Sequence, residues 1–338
     1  MSCFKILWLS LLLVGSALPS PSQKHAYKYL RVGNEADVTA VPRAGFALMG
    51  GGKDLDEAFR WLCIRGGGGD FLVLRASGAG DYNRYVQSMC QLNSVATLVI
   101  PSREAALDPF VATAINHASA LFISGGDQAN YINFWMGTPV QDALNAAIKR
   151  GVPIGGTSAG LAVLGEYSYT AQGDKPDDPN LDGKTALADP FSPRVTLIRG
   201  FLDIPILQSI ITDTHFARRD RMGRLLVFLA RLNAPEGKPS ETPVSVRGLG
   251  IQERAAVLVD PDGKATVVGF GDAYFVDAAK AHGPMQKGKP LTFGEFDVQK
   301  VAPGESFYLK SWAGDSITYR LYAEGGKLRS TQTDGAVY

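Results

Sequence analysis

Short apolar runs alternate with helical segments through the first half of this chain, and the alternation limits the possible folds more than any other feature. From residue 44 the runs are AGFALM, DFLVLRAS, VATLVIPS, ALFISGGDQ and VPIGG, each followed by a segment with helical spacing of its apolar residues. Buried runs of this length between helices are typical of βαβ units. The pattern predicts a parallel sheet covered by helices on both faces.

Three glycine clusters directly follow predicted strands of this sheet. They are GGG at 50–52, SGGDQ at 124–128 and GGTSAG at 155–160. The carboxyl ends of parallel strands meet at one edge, where the clefts of such folds form. We therefore expect three loops to converge on one cleft. After about residue 242 short β patterns dominate instead.

The first residues have the pattern of a secretory signal peptide. Lys5 precedes the apolar run ILWLSLLLVGSAL, which ends in small residues. The run is short for a membrane span, so we expect residues 1–17 to be removed, with the cut between about 17 and 22. Residues 23–43 are then a flexible mature N-terminus. The predicted location is extracellular, or periplasmic, without membrane association after cleavage; a retained anchor is the alternative.

The charge balance and the cysteine content exclude some classes of partner and cofactor. The chain has 34 Lys and Arg against 33 Asp and Glu, which gives no electrostatic basis for binding nucleic acid. No Cys or His cluster has metal-ligand spacing, so we expect neither metal nor cofactor. Cys63 and Cys90 either pair, as in exported proteins, or remain buried thiols. The sequence leaves both open.

Ser158 lies in the pattern Gly156-Thr157-Ser158-Ala159-Gly160, between a strand-like and a helix-like segment. This is the strand–turn–helix context of a nucleophile elbow. Small neighbours are needed there because the backbone of the serine is strained. The N–H of Ala159 would face a developing oxyanion at the start of the helix. The alternative is a serine that only caps the helix.

A nucleophilic serine needs a base, and His215 has the most suitable context among the four histidines. It lies where the predicted strand LQSIITDTH ends and a helix begins. The others lie in the loose N-terminus, at a helix end and in a loop: His25, His117 and His282. A capping or core imidazole is the alternative for His215.

Arginines crowd the segment that follows His215. They are Arg218, Arg219, Arg221 and Arg224. At the start of a helix such charges oppose the helix dipole unless anions compensate them. The guanidinium group is suited to carboxylate recognition, so the cluster indicates a substrate that bears carboxylates. Solvated pairing with Asp213 and Asp220 is the alternative.

Three segments together resemble the cyanophycinases, serine peptidases in the same family as the aspartyl dipeptidases. They are GGTSAGLAVLGE, LFISGGDQ and TDTHFARRDRMGRL. From their β patterns, residues 261–338 are expected to form a β-rich extension packed on the catalytic domain. The resemblance implies a flavodoxin-like or class I glutamine amidotransferase-like α/β fold for that domain, at 44–260. It also implies a homodimer. The implied substrate is cyanophycin, a poly-aspartate backbone with an arginine on each side chain, released as β-Asp-Arg dipeptides.

The resemblance also assigns roles to individual residues. Ser158 is the nucleophile, His215 the general base, and Glu253 in GLGIQERAA the residue that orients the imidazole. Backbone N–H groups of Ala159, Gly126 and Asp127 form the expected oxyanion hole. The expected substrate contacts are Gln128, Asp213, Thr214, Arg219, Arg221 and Arg224. Two other functions stay open, an α-aspartyl dipeptidase and a non-catalytic extracellular binding protein of the same fold.

Overall fold

The computed structural model describes residues 25–174, 177–178, 180–234 and 245–338. The predicted signal peptide at 1–17 and its cleavage region lie outside these residues. In the described part of the chain, ten strands form one sheet and eight form a second.

The first sheet contains the parallel strands that the alternation of apolar runs predicted. Its strands up to residue 160 are β1 Lys28–Gly33, β2 Phe46–Met49, β3 Asp70–Arg75, β4 Ser94–Val99, β5 Ala120–Ile123 and β6 Ile154–Thr157. Strands β4, β3, β5, β6 and β2 lie side by side in that order and pair in parallel. The predicted α/β class is confirmed.

Helices connect these strands and cover both faces of the sheet. They are α1 Asp56–Arg65, α2 Asp81–Met89, α3 Arg103–Ala106, α4 Pro109–His117, α5 Gln128–Trp135, α6 Pro139–Lys149 and α7 Ala159–Ala162. Alternate residues of β3 belong to different cores: Leu72 and Leu74 pack with α4 and α6, and Phe71 and Val73 with α1. A strand buried on both faces has such a continuous apolar run because neither of its faces meets water.

Part of the segment predicted to be flexible, 23–43, is ordered. Residues Lys28–Gly33 form β1, which pairs antiparallel with β4 along its whole length. The prediction missed this edge strand because its outer residues need not be apolar. Arg31 instead contacts Asp70 at 3.0 Å and Asp37 at 2.5 Å.

The second sheet supplies the other part of the site. Its strands are β7 Tyr167–Tyr169, β8 Leu197–Arg199, β9 Ile210–Asp213, β10 Arg247–Ile251, β13 Ala273–Asp277, β14 Phe293–Val301, β17 Ile317–Glu324 and β18 Lys327–Ser330. Strand β9 pairs in parallel with β7 and β10. Helices α8 Gly183–Ala188 and α9 Met222–Asn233 pack together on the second sheet. The 3₁₀ helix Pro205–Leu207 precedes β9.

The strand-rich region after residue 260 is continuous with both sheets. The first sheet goes on through β11 Ala255–Val259, β12 Lys264–Gly269, β15 Ser306–Tyr308 and β16 Ala313–Gly314. Strand β12 pairs with β11, and β13 pairs with β10. The boundary placed at residue 260 therefore has no counterpart in the hydrogen bonding of the strands.

Two further features tie the fold together. Leu48 of the first sheet and Leu249 and Phe275 of the second belong to one buried cluster, so the sheets pack on each other. Cys63 on α1 and Cys90 at the end of α2 form a disulfide, which answers the question that the sequence left open. No helix in the described ranges is long and apolar enough to cross a membrane.

Candidate active site

Ser158 occupies a strained turn between β6 and α7. Its φ is 52°, a left-handed value that a residue with a side chain rarely adopts. Glycines on either side allow the turn: a Cβ at Gly156 would lie 2.6 Å from the Gly160 carbonyl, and one at Gly160 would overlap the Ile123 carbonyl oxygen. The tight path of the backbone therefore requires glycine at these two positions, because neither has room for a side chain.

His215 lies in a similar turn of the second sheet, directly after β9, with φ 48°. Its Nε2 is 2.6 Å from Ser158 Oγ, and its Nδ1 is 2.6 Å from Glu253 Oε1. Because a carboxylate only accepts, the proton of the neutral imidazole lies on Nδ1, and Nε2 is left to accept from the serine hydroxyl. The structure brings the three predicted catalytic residues into one hydrogen-bonded row.

Glu253 lies in the turn that joins β10 to β11, where the chain passes from the second sheet to the first. The preceding Gln252 fixes this turn, since its amide donates to Tyr274 Oη at 2.9 Å and its side-chain oxygen accepts from Asp272 N–H at 3.0 Å. The carboxylate that orients His215 is thereby anchored to β13.

Met49 at the end of β2 and the glycine cluster at 50–52 that follows it contact all three of these residues. Ser158 N–H donates to Met49 O at 3.2 Å, and His215 N–H donates to Gly50 O at 2.7 Å. A Cβ at Gly51 would lie 2.5 Å from the His215 ring, and one at Gly52 would lie 3.1 Å from Glu253 Cβ. This loop was expected at the cleft because it follows a predicted strand, but its close approach to the imidazole has no sequence signal.

Burial lowers the pKa of His215 below its ordinary value near 6.5. The cations Arg219 and Arg221 lower it further, whereas the hydrogen bond to Glu253 opposes the shift. The imidazole is therefore neutral at neutral pH, which is the state that can accept a proton.

A cavity of about 470 Å³ opens beside Ser158. Eight further residues proposed from the sequence line it: Gly126, Asp127, Gln128, Ala159, Thr214, Arg219, Arg221 and Arg224. Four lining residues were not singled out individually: Tyr169, Ala171, Asp174 and Asn180. The glycine turn after β5 and the segment after β9 thus both contribute residues to the wall of one cavity.

The arginines of the cavity differ in their surroundings. Arg224 is 2 % exposed, and its guanidinium donates to both oxygens of Asp213, at 2.5 and 2.8 Å. Arg221 is also buried and donates to Thr214 and Asn180. Arg219 is exposed. Of these three arginines, Arg221 and Arg224 are therefore buried and hydrogen-bonded within the fold, and Arg219 is exposed to solvent.

The charge of this wall is incompletely balanced. In the described part of the chain, the carboxylate in contact with the buried guanidinium groups is that of Asp213, 2.5 Å from Arg224 and 3.8 Å from Arg221. Burial lowers the pKa of Arg221, and the nearby Arg224 and Arg219 act in the same direction. A ligand carboxylate would relieve this repulsion.

Asp213 itself does not lie at the cavity surface, although the resemblance placed it among the substrate contacts. It is 2 % exposed, and both of its oxygens are occupied by Arg224. Asp213 is buried and is not among the residues that line the cavity, so a ligand in the cavity does not reach it. Asp213 supports the arginine behind the cavity instead.

The lining residues that the sequence did not identify come from the segment 169–180. Tyr169 donates to Asp174 at 2.8 Å, and the guanidinium of Arg224 lies 4.9 Å from the centre of the Tyr169 ring. Asn180 accepts from Arg221. The polar composition of the residues that follow β7 gives no sign of which side chains point inward. No group of three or more His, Cys, Asp or Glu that could hold a metal occurs among the described residues.

Comparisons with known proteins find similarity to peptidases. The model of peptidase family S51 matches residues 67–198, a range that includes Ser158. A cyanophycinase of Geminocystis herdmanii is 27 % identical over 289 residues, covering 80 % of this chain and 95 % of that protein. A cyanophycinase of Trichormus variabilis is 26 % identical over 235 residues, covering 68 % of this chain and 70 % of that protein.

The fold is similar to that of a solved peptidase from an acI-B1 actinobacterium. The TM-score is 0.50 at 17 % sequence identity, covering 80 % of this chain and 98 % of the other. The family match and the relatives over most of the chain lead to one conclusion: this chain is a peptidase that is similar to the members of peptidase family S51.

Proposed function

We propose that this protein is a serine-type exopeptidase that hydrolyses cyanophycin to β-Asp-Arg dipeptides. The observation that carries the proposal is the row Ser158–His215–Glu253, with both contacts at 2.6 Å, beside a cavity lined by two buried arginines that share the carboxylate of Asp213. The names of the relatives support the choice of substrate.

The reaction begins when Ser158 Oγ attacks the scissile carbonyl of an aspartyl residue. His215 Nε2 accepts the hydroxyl proton during this attack and later passes it to the leaving amine. Glu253 holds Nδ1–H and stabilises the charged imidazolium. A water molecule, deprotonated by the same Nε2, then hydrolyses the acyl-enzyme and frees Ser158.

Backbone N–H groups beside Ser158 would stabilise the oxyanion. Ala159 is the first residue of α7, so its N–H has no partner within that helix. Gly126 and Asp127 line the same cavity, in the turn that leads into α5, and the preceding Gly125 lies next to Ser158. Donors fixed in the backbone need no reorganisation as the charge develops, which is what makes such holes effective.

The arginine wall would bind the carboxylates of the polymer. The free main-chain carboxylate of the dipeptide to be removed is an anion that Arg219 and Arg221 can approach from the cavity. Asp127 and Asp174 also line the cavity and offer acceptors to the guanidinium of the substrate. The cavity therefore has groups of both signs, as a substrate with both charges requires.

Replacing the nucleophile tests the proposal. Ser158→Ala should abolish release of β-Asp-Arg from purified polymer while the protein stays folded by circular dichroism. Ser88→Ala, on the outer part of α2 and away from the cavity, is the matched control and should keep full activity. A fluorophosphonate should label the native protein and not Ser158→Ala.

Two results would overturn the proposal. Full polymer cleavage by Ser158→Ala would remove the serine mechanism. Cleavage of α-aspartyl dipeptides with no action on the polymer would remove the substrate, in favour of an aspartyl dipeptidase.

We further propose that the protein is exported and acts as a homodimer. The disulfide Cys63–Cys90 supports export, because such bonds persist in oxidising compartments. Activity in culture supernatant, with an N-terminal residue between about 18 and 23 by mass spectrometry, checks export. Light scattering on the purified protein checks the dimer.

A further inference from the structure

A carboxylate that the mechanism does not use lies directly behind the nucleophile elbow. Asp54 follows the glycine loop 50–52 and accepts two short hydrogen bonds, from Thr157 Oγ1 at 2.6 Å and from Tyr82 Oη at 2.7 Å. Burial raises the pKa of Asp54, and these two bonds oppose the shift. Both donors are neutral hydroxyls, and within the described ranges Asp54 takes part in no ion pair.

The position of Thr157 makes one of these bonds important. Thr157 is the last residue of β6 and immediately precedes Ser158, and it is 4 % exposed. Hydrogen bonds to a carboxylate are shorter and stronger than those between neutral groups. The bond from Thr157 therefore fixes the end of the strand from which the strained serine turn begins.

Asp54 is also connected to the site through the chain that precedes it, which includes Met49 and the glycine loop. Met49 O accepts from Ser158 N–H, and Gly50 O accepts from His215 N–H. Asp54 lies four residues after Gly50, so the Asp54–Thr157 bond closes a ring that contains the loop and the serine turn. Tyr82 on α2 holds the second oxygen of Asp54 and fixes the direction of its carboxylate.

We propose that Asp54 is a positioning residue of the active site: through Thr157 and the glycine loop it holds Ser158 Oγ and His215 Nε2 at hydrogen-bonding distance. Asp54 touches neither the cavity nor the reacting atoms, so its effect is on the alignment of the nucleophile and not on substrate binding. The proposal rests on the serine mechanism of the proposed function.

The test is a double-mutant cycle on the bond. Asp54→Ala and Thr157→Val should each lower kcat by about 10²-fold, because misplacing a reacting group by about 1 Å has an effect of this size. KM should change less than about twofold. The double variant should be no slower than either single variant, since both remove the same bond.

Three measurements separate alignment from general destabilisation. Thr157→Ser keeps the hydroxyl and should recover most of the rate that Thr157→Val loses. The rate of fluorophosphonate labelling of Ser158 should fall in parallel with kcat. Tyr82→Phe leaves the Thr157 bond in place and should have a smaller effect than Asp54→Ala.

Asp70→Ala is the matched control. Asp70 also accepts a short bond from a hydroxyl, that of Ser94 at 2.5 Å, but it lies at the start of β3, away from the carboxyl ends of the strands. Its loss should lower the melting temperature and leave kcat unchanged. A similar fall in kcat for Asp70→Ala and Asp54→Ala would show a purely structural effect and overturn the proposal.

Other outcomes are equally decisive. Unchanged kcat in folded Asp54→Ala, or in Thr157→Val where Asp54→Ala does not fold, would overturn the positioning role. So would effects that simply add in the double variant. Ser158→Ala, measured in parallel, separates the two proposals: if it remains active the serine mechanism fails, and if it is inactive while the Asp54 and Thr157 variants work normally, only the positioning role fails.

Discussion

The part of the cavity around Ser158 is built on tight turns with small residues, whereas the part that follows His215 is built on charged side chains. On the serine side, Gly126 and Ala159 line the cavity and have no side chain larger than a methyl group. On the histidine side, Arg221 and Arg224 are buried and held by Asp213, Thr214 and Asn180.

This difference shows how the two tasks of the site are built. Peptide donors are held in place by the turn itself, so the serine side depends on glycines that allow close approach. Buried guanidinium groups need acceptors to compensate their desolvation, so the histidine side depends on ion pairs and carbonyls. We therefore expect substitutions on the two sides to differ in how much stability and how much activity they remove.

The largest expected effect comes from breaking the ion pair on the histidine side. Asp213→Ala leaves Arg224 buried without its carboxylate, and we expect a loss of about 3–5 kcal/mol in the free energy of unfolding. Urea denaturation measures it. The double variant Asp213→Leu/Arg224→Met should recover much of the loss. A double variant as unstable as Asp213→Ala would contradict the account given for this pair.

A smaller loss of stability, with loss of activity, is expected on the serine side. In Gly160→Ala the new Cβ overlaps the Ile123 carbonyl oxygen, so β5 and α7 must separate. We expect a loss of about 1–3 kcal/mol in stability, together with most of the polymer cleavage. Gly125→Ala is the control, since its Cβ would lie 3.5 Å from Ser158 Cβ, an ordinary contact. Equal effects of both changes would count against the close-approach argument.

The smallest effect on stability is expected for the exposed arginine. Arg219→Ala should change the free energy of unfolding by less than about 0.5 kcal/mol and raise KM for the polymer. It should also change the pH profile. The base must be neutral to work, so kcat/KM rises with pH through the pKa of His215, which lies below 6.5.

Removing the cation at position 219 should raise the pKa of His215 and move this acid limb to higher pH. Arg219→Lys keeps the charge and should leave the limb in place. An acid limb at the same pH in native protein and Arg219→Ala would show that this cation does not act on the imidazole.

Sequence reasoning reached the parallel sheet because strands buried on both faces produce long apolar runs with helices between them. The serine turn was predictable for a related reason, since the glycines that it needs lie within two residues of Ser158. His215 was the most suitable base by its place after a strand, but its pairing with Glu253 came from a resemblance and not from spacing.

What sequence reasoning missed are contacts between distant segments. Gly50 and His215 are brought together across two sheets, and nothing near either residue indicates the other. Asp213 was expected at the substrate because no local pattern shows that Arg224 uses both of its oxygens. The hydroxyl of Tyr338 accepts from Met222 N–H at the start of α9, 116 residues away. Such pairings are decided by packing of the whole chain.

The proposed catalytic row takes its residues from both sheets. Ser158 follows β6 of the first sheet, His215 follows β9 of the second, and Glu253 lies where the chain crosses between them. A small shift of one sheet relative to the other would separate Ser158 from His215 while every strand and helix stayed intact. Enzymatic activity is thus a more sensitive test of the correct packing of the two sheets than any spectroscopic measure of secondary structure. A molecule with misplaced sheets would have the native content of secondary structure and no activity.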